Sequence, residues 1–155
     1  MDSNSEIINR FYTAFQSKNA EGMVKFYANN ITFEDPAFGK LNGEDAKNMW
    51  RMLCANSSDL ELEFQITSSN GNQVTAHWEA KYTFSKTGRK VHNKIDATFF
   101  IANNEIISHV DQFDLWSWSQ QAMGLTGFLL GWSDFFRKKL QKTTHQTLAK
   151  YTSKS

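Results

Sequence analysis

The chain has 155 residues, 40% of them hydrophobic, and a formal net charge of +1. This length predicts one domain that buries roughly two-thirds of its unfolded surface, and the near-neutral charge argues against general nucleic-acid binding. The charge is uneven, because residues 134–155 carry +5 and residues 1–133 carry −4.

The cysteine content and the N-terminal residues indicate the cytoplasm. Cys54 is the only cysteine, which excludes an intramolecular disulfide and is typical of a reducing compartment. The first ten residues lack the basic and apolar regions of a signal peptide. The apolar run 128–132 is too short to cross a bilayer. We therefore expect a cytoplasmic protein.

The first third of the chain has helical spacing. Apolar residues three and four positions apart predict helices over 4–17, 20–28 and 43–54. Between the second and third helices, a short strand begins at Ile31 and ends at Pro36, because proline lacks a backbone donor. A loop that contains Gly39 and Gly43 follows.

From Leu60 onward, apolar and polar residues alternate. This pattern predicts strands over 60–66, 74–84, 91–102 and 105–116, with turns at 70–72, 87–89 and 103–104. Helices followed by strands predict an α+β domain, in which helices lie across one face of a curved antiparallel sheet.

Two carboxylates stand where alternation predicts apolar residues. Asp35 shares a face with Ile31 and Phe33, and Asp111 shares a face with His109 and Phe113. A carboxylate among apolar neighbours is a candidate base with a raised pKa. Asp35 also has a plainer interpretation, since an Asp before a proline commonly forms a turn or caps a helix.

Asp96 has a different position, because alternation places it with Lys94 and Thr98 on the polar face of its strand. Periodicity therefore predicts that Asp96 lies in water or at a subunit contact. If that strand instead crosses a polar part of a pocket, three carboxylates converge. One of them would then hold a proton near neutral pH and act as donor, while another acts as base.

The chain resembles the nuclear transport factor 2-like superfamily, in its ketosteroid isomerase and SnoaL-like polyketide cyclase branch. The resemblance rests on NRFYTAFQSKNAEGMVKFYANNITFEDPAFGKLNG, NKIDATFFI and SHVDQFDLW. It implies a cystatin-like cone, in which a bent sheet wraps around N-terminal helices and leaves a deep apolar pocket, usually in a homodimer. We expect this domain to span residues 1–117.

The resemblance also implies roles for individual residues. Asp35 matches the proton-shuttling base of ketosteroid isomerases, and Asp96 matches their protonated oxyanion-hole aspartate. Their oxyanion-hole tyrosine is replaced by Phe11, and Tyr12 beside it points about a hundred degrees away around the helix.

A second branch of the superfamily gives another reading. VDQFDLW resembles a strand of limonene-epoxide hydrolase, in which Asp111 would match an aspartate that activates water. That enzyme also needs an arginine and an aspartate two residues apart on a neighbouring strand. Trp78 and Ala80 occupy those places here, and His77 and Glu79 are out of register.

Residues 118–155 extend beyond the family core. Apolar residues between Met123 and Lys142, followed by Arg137, Lys138 and Lys139, predict an amphipathic helix or helix pair. We expect this extension to pack over the pocket mouth or across a dimer. Contact with an anionic membrane surface is an alternative.

The leading hypothesis is a cofactor-independent pocket protein that acts on a small hydrophobic carbonyl compound by proton transfer. Asp35 would be the base, and Asp96 or Asp111 its partner. The expected pocket walls are aromatic: Tyr12, Phe33, Trp50, Trp78 and Phe113. The four histidines lack metal-ligand spacing, so we expect no metal site. The competing hypothesis is a non-catalytic binding or assembly module.

Overall fold

The computed structural model describes residues 2–154. Its helices are α1 Ser3–Gln16, α2 Ala20–Val24, α3 Glu44–Asn56, α4 Leu115–Met123, α5 Leu125–Leu130 and α6 Asp134–Ser153. Its strands are β1 Tyr27–Asp35, β2 Gly39–Asn42, β3 Glu61–Asn70, β4 Gln73–Phe84, β5 Arg89–Ala102 and β6 Glu105–Gln112.

The six strands form one sheet in the order β2-β1-β6-β5-β4-β3. β1 and β6 pair in parallel, and every other neighbouring pair is antiparallel. Helices α1 and α3 pack against one face of this curved sheet, which we call the inner face. The predicted α+β class, with a curved sheet around N-terminal helices and a C-terminal helix, is confirmed.

Helix α1 begins at a polar cap. The Asp2 side chain accepts a hydrogen bond from the Ser5 backbone N–H, which satisfies one of the free donors of the first turn. The apolar side of the helix then buries Ile8, Phe11 and Tyr12 completely. Burial of each such side chain contributes about 1.5–3 kcal/mol, so α1 anchors the core.

Strands β3, β4 and β5 follow the predicted alternation. In β4, Val74, Ala76, Trp78 and Ala80 are buried. In β5, every second residue from Val91 to Ile101 is buried in the same way. Because side chains alternate between the two faces of a strand, these residues form the inner face, which is apolar except for Asn93.

Strand β6 departs from the predicted alternation at its start. Ile106 is buried and Ile107 is 40% exposed, although alternation groups Ile107 with His109 and Asp111. The reason is a β-bulge, because Phe100 pairs with Ser108 while the next residue of β5, Ile101, pairs with Ile106. One extra residue in β6 reverses the faces before it. The prediction for Ile107 was therefore wrong, and those for His109 and Asp111 were correct.

Several element boundaries also differ from the predictions. The second helix ends at Val24, and β1 already begins at Tyr27. Part of the loop with Gly39 is strand β2, which pairs with β1. The last strand ends at Gln112 instead of 116, because the Asp114 side chain accepts the Ser117 backbone N–H and starts helix α4.

The C-terminal helices cover one end of the sheet. A second cluster of buried apolar residues joins α4 and α6 to β5: Val91, Leu115, Trp118, Ala122 and Phe136. Farther along α6, Leu148 enters the main core. Across residues 2–154, no helix combines the length and apolar composition needed to cross a lipid bilayer.

Helices α4 and α5 approach each other closely at Gly127. A Cβ atom on this residue would overlap the Ser119 carbonyl oxygen. Gly127→Ala should therefore displace α5 and lower the free energy of unfolding by about 1–3 kcal/mol, as measured by urea denaturation. Thr126→Ala, an exposed change in the same helix, is the control. Equal stability of the two variants would contradict this packing.

Candidate functional site

The register of β1 and β6 brings two carboxylates to neighbouring positions. Phe33 pairs with His109 and Glu34 with Val110 in this parallel pair, so that Asp35 is level with Asp111. Neighbouring strands are about 4.8 Å apart. Asp35 lies two residues after Phe33, and Asp111 lies two residues after His109. Because side chains alternate along a strand, both carboxylates are on the inner face with these two residues. The structure thus brings together two of the three predicted site carboxylates.

Asp111 belongs to a chain of buried hydrogen bonds. Its Oδ1 atom lies 2.8 Å from Nε2 of His109 and 3.4 Å from Nε1 of Trp78. Nδ1 of His109 lies 2.7 Å from the Tyr27 hydroxyl, which accepts the Trp50 indole N–H at 2.8 Å. Five residues from β1, α3, β4 and β6 therefore form one polar chain inside an aromatic core.

The chemistry of these groups sets the hydrogen-bond directions. A carboxylate has no proton to donate, so with Asp111 ionised the Nε2–H of His109 is the donor. Nδ1 of a neutral His109 then accepts the proton of the Tyr27 hydroxyl. This tautomer gives each of these donors and acceptors a partner, which low-polarity surroundings require.

Aromatic rings enclose the His109 imidazole, which is fully buried. Phe99 stacks on it with ring centroids 4.1 Å apart, and Phe33 meets it edge-on at 5.1 Å. Trp50 lies parallel to it at 5.9 Å. These contacts leave the imidazole little rotational freedom. The His109 ring therefore holds the Asp111 carboxylate in a fixed position.

Asp35 lies at the end of β1 in a tight turn. Its Oδ1 atom accepts the backbone N–H groups of Ala37 at 2.9 Å and Phe38 at 2.6 Å. Burial of the carboxyl group raises the pKa of Asp35 to about 7, and the charge of Asp111 adds to this rise against the lowering effect of the two N–H bonds. A carboxyl group with such a pKa exchanges protons near neutral pH.

Helix α6 holds the same turn from the other side. Three consecutive carbonyl groups, of Pro36, Ala37 and Phe38, accept hydrogen bonds from side chains of α6: Gln141, Thr144 and His145. Asp35 binds the N–H groups of this turn, and α6 binds its C=O groups. The position of the Asp35 carboxyl group therefore depends on the C-terminal extension.

Tyr12 contributes a buried hydroxyl group without a partner. Its ring stacks on Phe64 with centroids 5.0 Å apart and lies 6.0 Å from the Trp78 ring. Within residues 2–154, its hydroxyl oxygen is the only buried side-chain N or O atom that lacks a hydrogen bond. Burial raises the pKa of Tyr12 well above its ordinary value, and the Asp111 charge contributes. The hydroxyl therefore stays protonated and can donate.

Asp96 lies on the opposite face of the sheet from Asp111. Its side chain is 78% exposed, and Ala97 is the residue that pairs with Asp111. Asp96 accepts a hydrogen bond from His77, whose pKa is raised by the Asp96 and Glu79 carboxylates. The structure does not bring Asp96 to the other two carboxylates, because strand alternation turns it outward, as periodicity indicated.

The positions expected from epoxide hydrolases are likewise not assembled here. Trp78 and Ala80 are buried on the inner face of β4. His77 and Glu79 point to the other face and bind each other at 2.8 Å. Asp111 therefore has an indole N–H as its neighbour, where that reaction needs an arginine and a second acid.

The five predicted wall residues lie in or against the apolar clusters. Tyr12, Phe33, Trp50 and Trp78 are buried in the main core, and Phe113 is partly buried between the two apolar clusters. A groove of about 460 Å³ lies between the Phe38–Lys40 segment and α6, beside the turn after Asp35. A second cavity of about 400 Å³ is lined by Tyr82, whose pKa is raised by burial and, more weakly, by the Asp35 charge. An interior pocket at the two carboxylates stays a prediction.

Sequence reasoning missed Tyr27 as a polar member of the site. The spacing of Met23, Val24 and Phe26 assigns Tyr27 to a helix, whereas the structure places it in β1. Alternation carries no signal for Tyr27, because the register of β1 against β6 shifts between Tyr27 and Thr32. Among residues 2–154, His, Cys, Asp and Glu side chains form no group able to hold a metal ion.

A curved sheet around helices, with carboxylates on the inner face, defines a protein of the NTF2-like cone class. The sequence model of the SnoaL-like domain matches residues 8–109. The chain therefore belongs to the SnoaL-like domain family, a branch of the NTF2-like superfamily.

Solved structures show the same fold. A provisionally named polyketide cyclase from Xanthomonas campestris pv. campestris is 17% identical, with a TM-score of 0.67 over 77% of this chain and 96% of that one. A provisionally named SnoaL-like polyketide cyclase from Jannaschia is 13% identical, with a TM-score of 0.69 over 79% and 92%. An LEH-like epoxide hydrolase from M. tuberculosis is 14% identical, with a TM-score of 0.63 over 82% and 95%. A search of curated proteins found no match.

Two buried tyrosines provide a matched test of the polar chain. Tyr27→Phe removes the hydroxyl between Trp50 and His109 and should lower the free energy of unfolding by about 1–3 kcal/mol, because two buried polar atoms lose their partner. Tyr12→Phe removes a hydroxyl without a partner and should leave stability unchanged or increase it. Urea denaturation measures both. Equal losses would contradict the polar chain.

Stability should also depend on the ionisation of Asp35. Folding raises its pKa from 3.8 to about 7, so between these pH values the folded protein binds more protons than the unfolded chain. The contribution of Asp35 to stability therefore falls as pH rises through this range, by at most about 1.4 kcal/mol per pH unit. Asp35→Asn should abolish this pH dependence of the free energy of unfolding, as measured by urea denaturation at several pH values in this range. The exposed variant Asp96→Asn should retain it, and identical profiles for the two variants would refute the assignment.

Proposed function

We propose that this protein is a cofactor-independent isomerase or cyclase that transfers a proton on a small hydrophobic carbonyl compound. The observation that carries the proposal is that Asp35 and Asp111 each follow the last paired residues of β1 and β6, Glu34 and Val110, so that two carboxyl groups lie level beside the aromatic core. Membership of the SnoaL-like family and the names of its structural neighbours support it.

Asp35 is the base in this proposal. Oδ1 is occupied by two backbone N–H groups, which leaves Oδ2 outside both bonds as the atom that takes the proton. With a pKa of about 7, part of the Asp35 carboxyl group is ionised near neutral pH. The ionised form is basic enough to remove a proton from the carbon beside a carbonyl group. The turn fixes the direction of the carboxyl group before the substrate binds.

Tyr12 is the donor to the carbonyl oxygen of the substrate. When a base removes a proton from the carbon beside a carbonyl group, negative charge moves to the oxygen and needs a donor. The Tyr12 hydroxyl is buried, protonated and free of other partners. Binding to the substrate oxygen would supply the hydrogen bond that this hydroxyl lacks.

Asp111 sets the electrostatics of the site. Burial is the main cause of the raised pKa of Asp35, and the negative charge of Asp111 adds to it, because two neighbouring carboxylates cannot both ionise without cost. The bonds from His109 and Trp78 hold its own carboxylate in place. Asp111 is therefore a positioning and tuning group, while Asp35 contacts the reacting carbon.

The reaction conserves all atoms. Asp35 breaks a C–H bond next to the carbonyl group and becomes the neutral acid, while the electron pair forms an enolate. In an isomerisation, the proton returns from Asp35 to another carbon of the same molecule. In a cyclisation, the enolate carbon forms a bond to a second carbonyl carbon, and the new alkoxide takes the proton. Neither route needs an oxidant or a bound cofactor.

One observation favours a second candidate, a non-catalytic module that binds a hydrophobic ligand. Asp35 already serves a structural purpose, because its Oδ1 atom closes the turn after β1. Under this alternative the carboxyl group keeps the turn in place, and the aromatic side chains provide affinity alone.

Exchange of carbon-bound protons separates the two candidates. Cyclic hydrophobic ketones in D₂O should incorporate deuterium beside the carbonyl group when the protein is added, as followed by NMR. Asp35→Asn should slow this exchange by about 100-fold or more, because Asn accepts the same two N–H bonds but cannot take a proton. Ketone binding should persist. Tyr12→Phe should slow exchange by about 100-fold.

Asp96→Asn is the matched control, since it removes an exposed carboxylate and should leave the exchange rate unchanged. Exchange at the wild-type rate in the Asp35→Asn variant would remove Asp35 from the mechanism. Binding of ketones by the wild-type protein without any exchange would favour the non-catalytic module.

A further inference from the structure

The corner between α5 and α6 exposes large apolar side chains. Six of them, which we call the aromatic corner, are 48–72% exposed: Leu125, Phe128, Leu129, Leu130, Trp132 and Phe135. They lie within eleven consecutive residues. Single exposed apolar residues are common on protein surfaces, but a continuous group of this kind marks an interaction site.

The packing of α5 explains why these side chains point outward. Gly127 is the only buried residue of this helix, and it lies against the Ser119 carbonyl group of α4. The helix thus turns its glycine side to the protein and its leucine and phenylalanine side away from it. Gly131 makes a similarly close approach to the Ser119 side chain. The exposure is therefore built into the contact between α4 and α5.

The indole of the aromatic corner needs no external hydrogen-bond partner. The Trp132 Nε1–H group donates to the Leu129 carbonyl oxygen at 2.9 Å. Nearby, the Trp116 Nε1–H group donates to the Phe128 carbonyl oxygen at 3.1 Å. Both rings can enter an apolar phase without leaving a buried donor unsatisfied.

Basic residues border the aromatic corner. Arg137, Lys138, Lys139 and Lys142 follow on α6 and are exposed. Among residues 2–154, none of these four cations forms an ion pair with a carboxylate. Asp134 is the only acidic residue of α6. The side of the molecule with the most exposed rings is thus also strongly positive.

We propose that the aromatic corner docks on the surface of an anionic lipid bilayer. Apolar side chains enter the boundary between headgroups and acyl chains, and neighbouring cations bind anionic headgroups. A second copy of this chain fits less well, because a two-fold symmetric contact sets the same positive segment against itself. The proposal rests on surface residues alone and is independent of the proposed reaction.

Co-sedimentation with vesicles tests this proposal on the full chain. The protein should bind phosphatidylcholine vesicles that contain phosphatidylserine, bind pure phosphatidylcholine much more weakly, and dissociate as salt increases. The triple change Arg137→Gln, Lys138→Gln and Lys139→Gln should weaken binding on the order of 100-fold. Trp132→Ser with Phe135→Ser should abolish it.

Matched controls remove the same groups from other surfaces. Lys25→Gln, Lys81→Gln and Lys94→Gln delete three exposed cations outside the C-terminal helices, and Phe100→Ser deletes an exposed ring of β5. Both controls should bind vesicles like the wild-type protein. Circular dichroism and thermal unfolding verify that each variant folds.

Three outcomes would overturn the proposal. The first is no binding to anionic vesicles at low salt. The second is binding that the control changes weaken as much as the changes at the aromatic corner. The third is a dimer in sedimentation equilibrium that Trp132→Ser with Phe135→Ser dissociates, because the corner would then be an interface between two copies of the chain.

Discussion

The hydrogen bond between Tyr27 and His109 is the constraint on which the arrangement of the site depends. It joins residues 82 positions apart in sequence, and these lie on the two strands that pair in parallel. A parallel pair has no tight turn to set its register, so side-chain contacts must do so. Once His109 is fixed between Tyr27 and Asp111 inside its cage of rings, Asp35 becomes level with Asp111. The electrostatic coupling of the two carboxylates follows from that register.

The sequence was most informative where structure is determined locally. Alternation over β3, β4 and β5 predicted their buried faces correctly, because each strand pairs with its neighbour through a short turn. The same alternation placed Asp111 inside and Asp96 outside, and both positions agree with the structure. For Asp96, this simple periodicity was a better guide than resemblance to ketosteroid isomerases. The strand does not cross a polar part of the interior.

Sequence reasoning failed where distant contacts override local pattern. Tyr27 continues a helical apolar spacing, yet pairing with Ile106 of β6 draws it into a strand. The bulge at Ile107 exchanges the inner and outer positions at the start of β6. The alternation of apolar and polar residues in the sequence does not mark this extra residue. Asp114 did carry a signal, because an aspartate three residues before Ser117 is a common helix cap. Alternation put His109 and Asp111 on one face, but the rest of the buried polar chain could not be predicted, since Trp50, Tyr27 and Trp78 come from separate elements.

The family match ends at residue 109, but the candidate site does not. Asp111 lies two residues farther along β6, and α6 binds the three carbonyl groups of the turn that follows Asp35. Without those bonds, the pairing of β1 with β2 and the Asp35 side chain would still close the turn, but the direction of its free oxygen would be less fixed. The C-terminal extension therefore supports the candidate base at one point of α6, while the beginning of the same helix borders the exposed aromatic corner. Any force that moves α6 as a rigid body would act on both places, because a continuous helix transmits displacement along its axis.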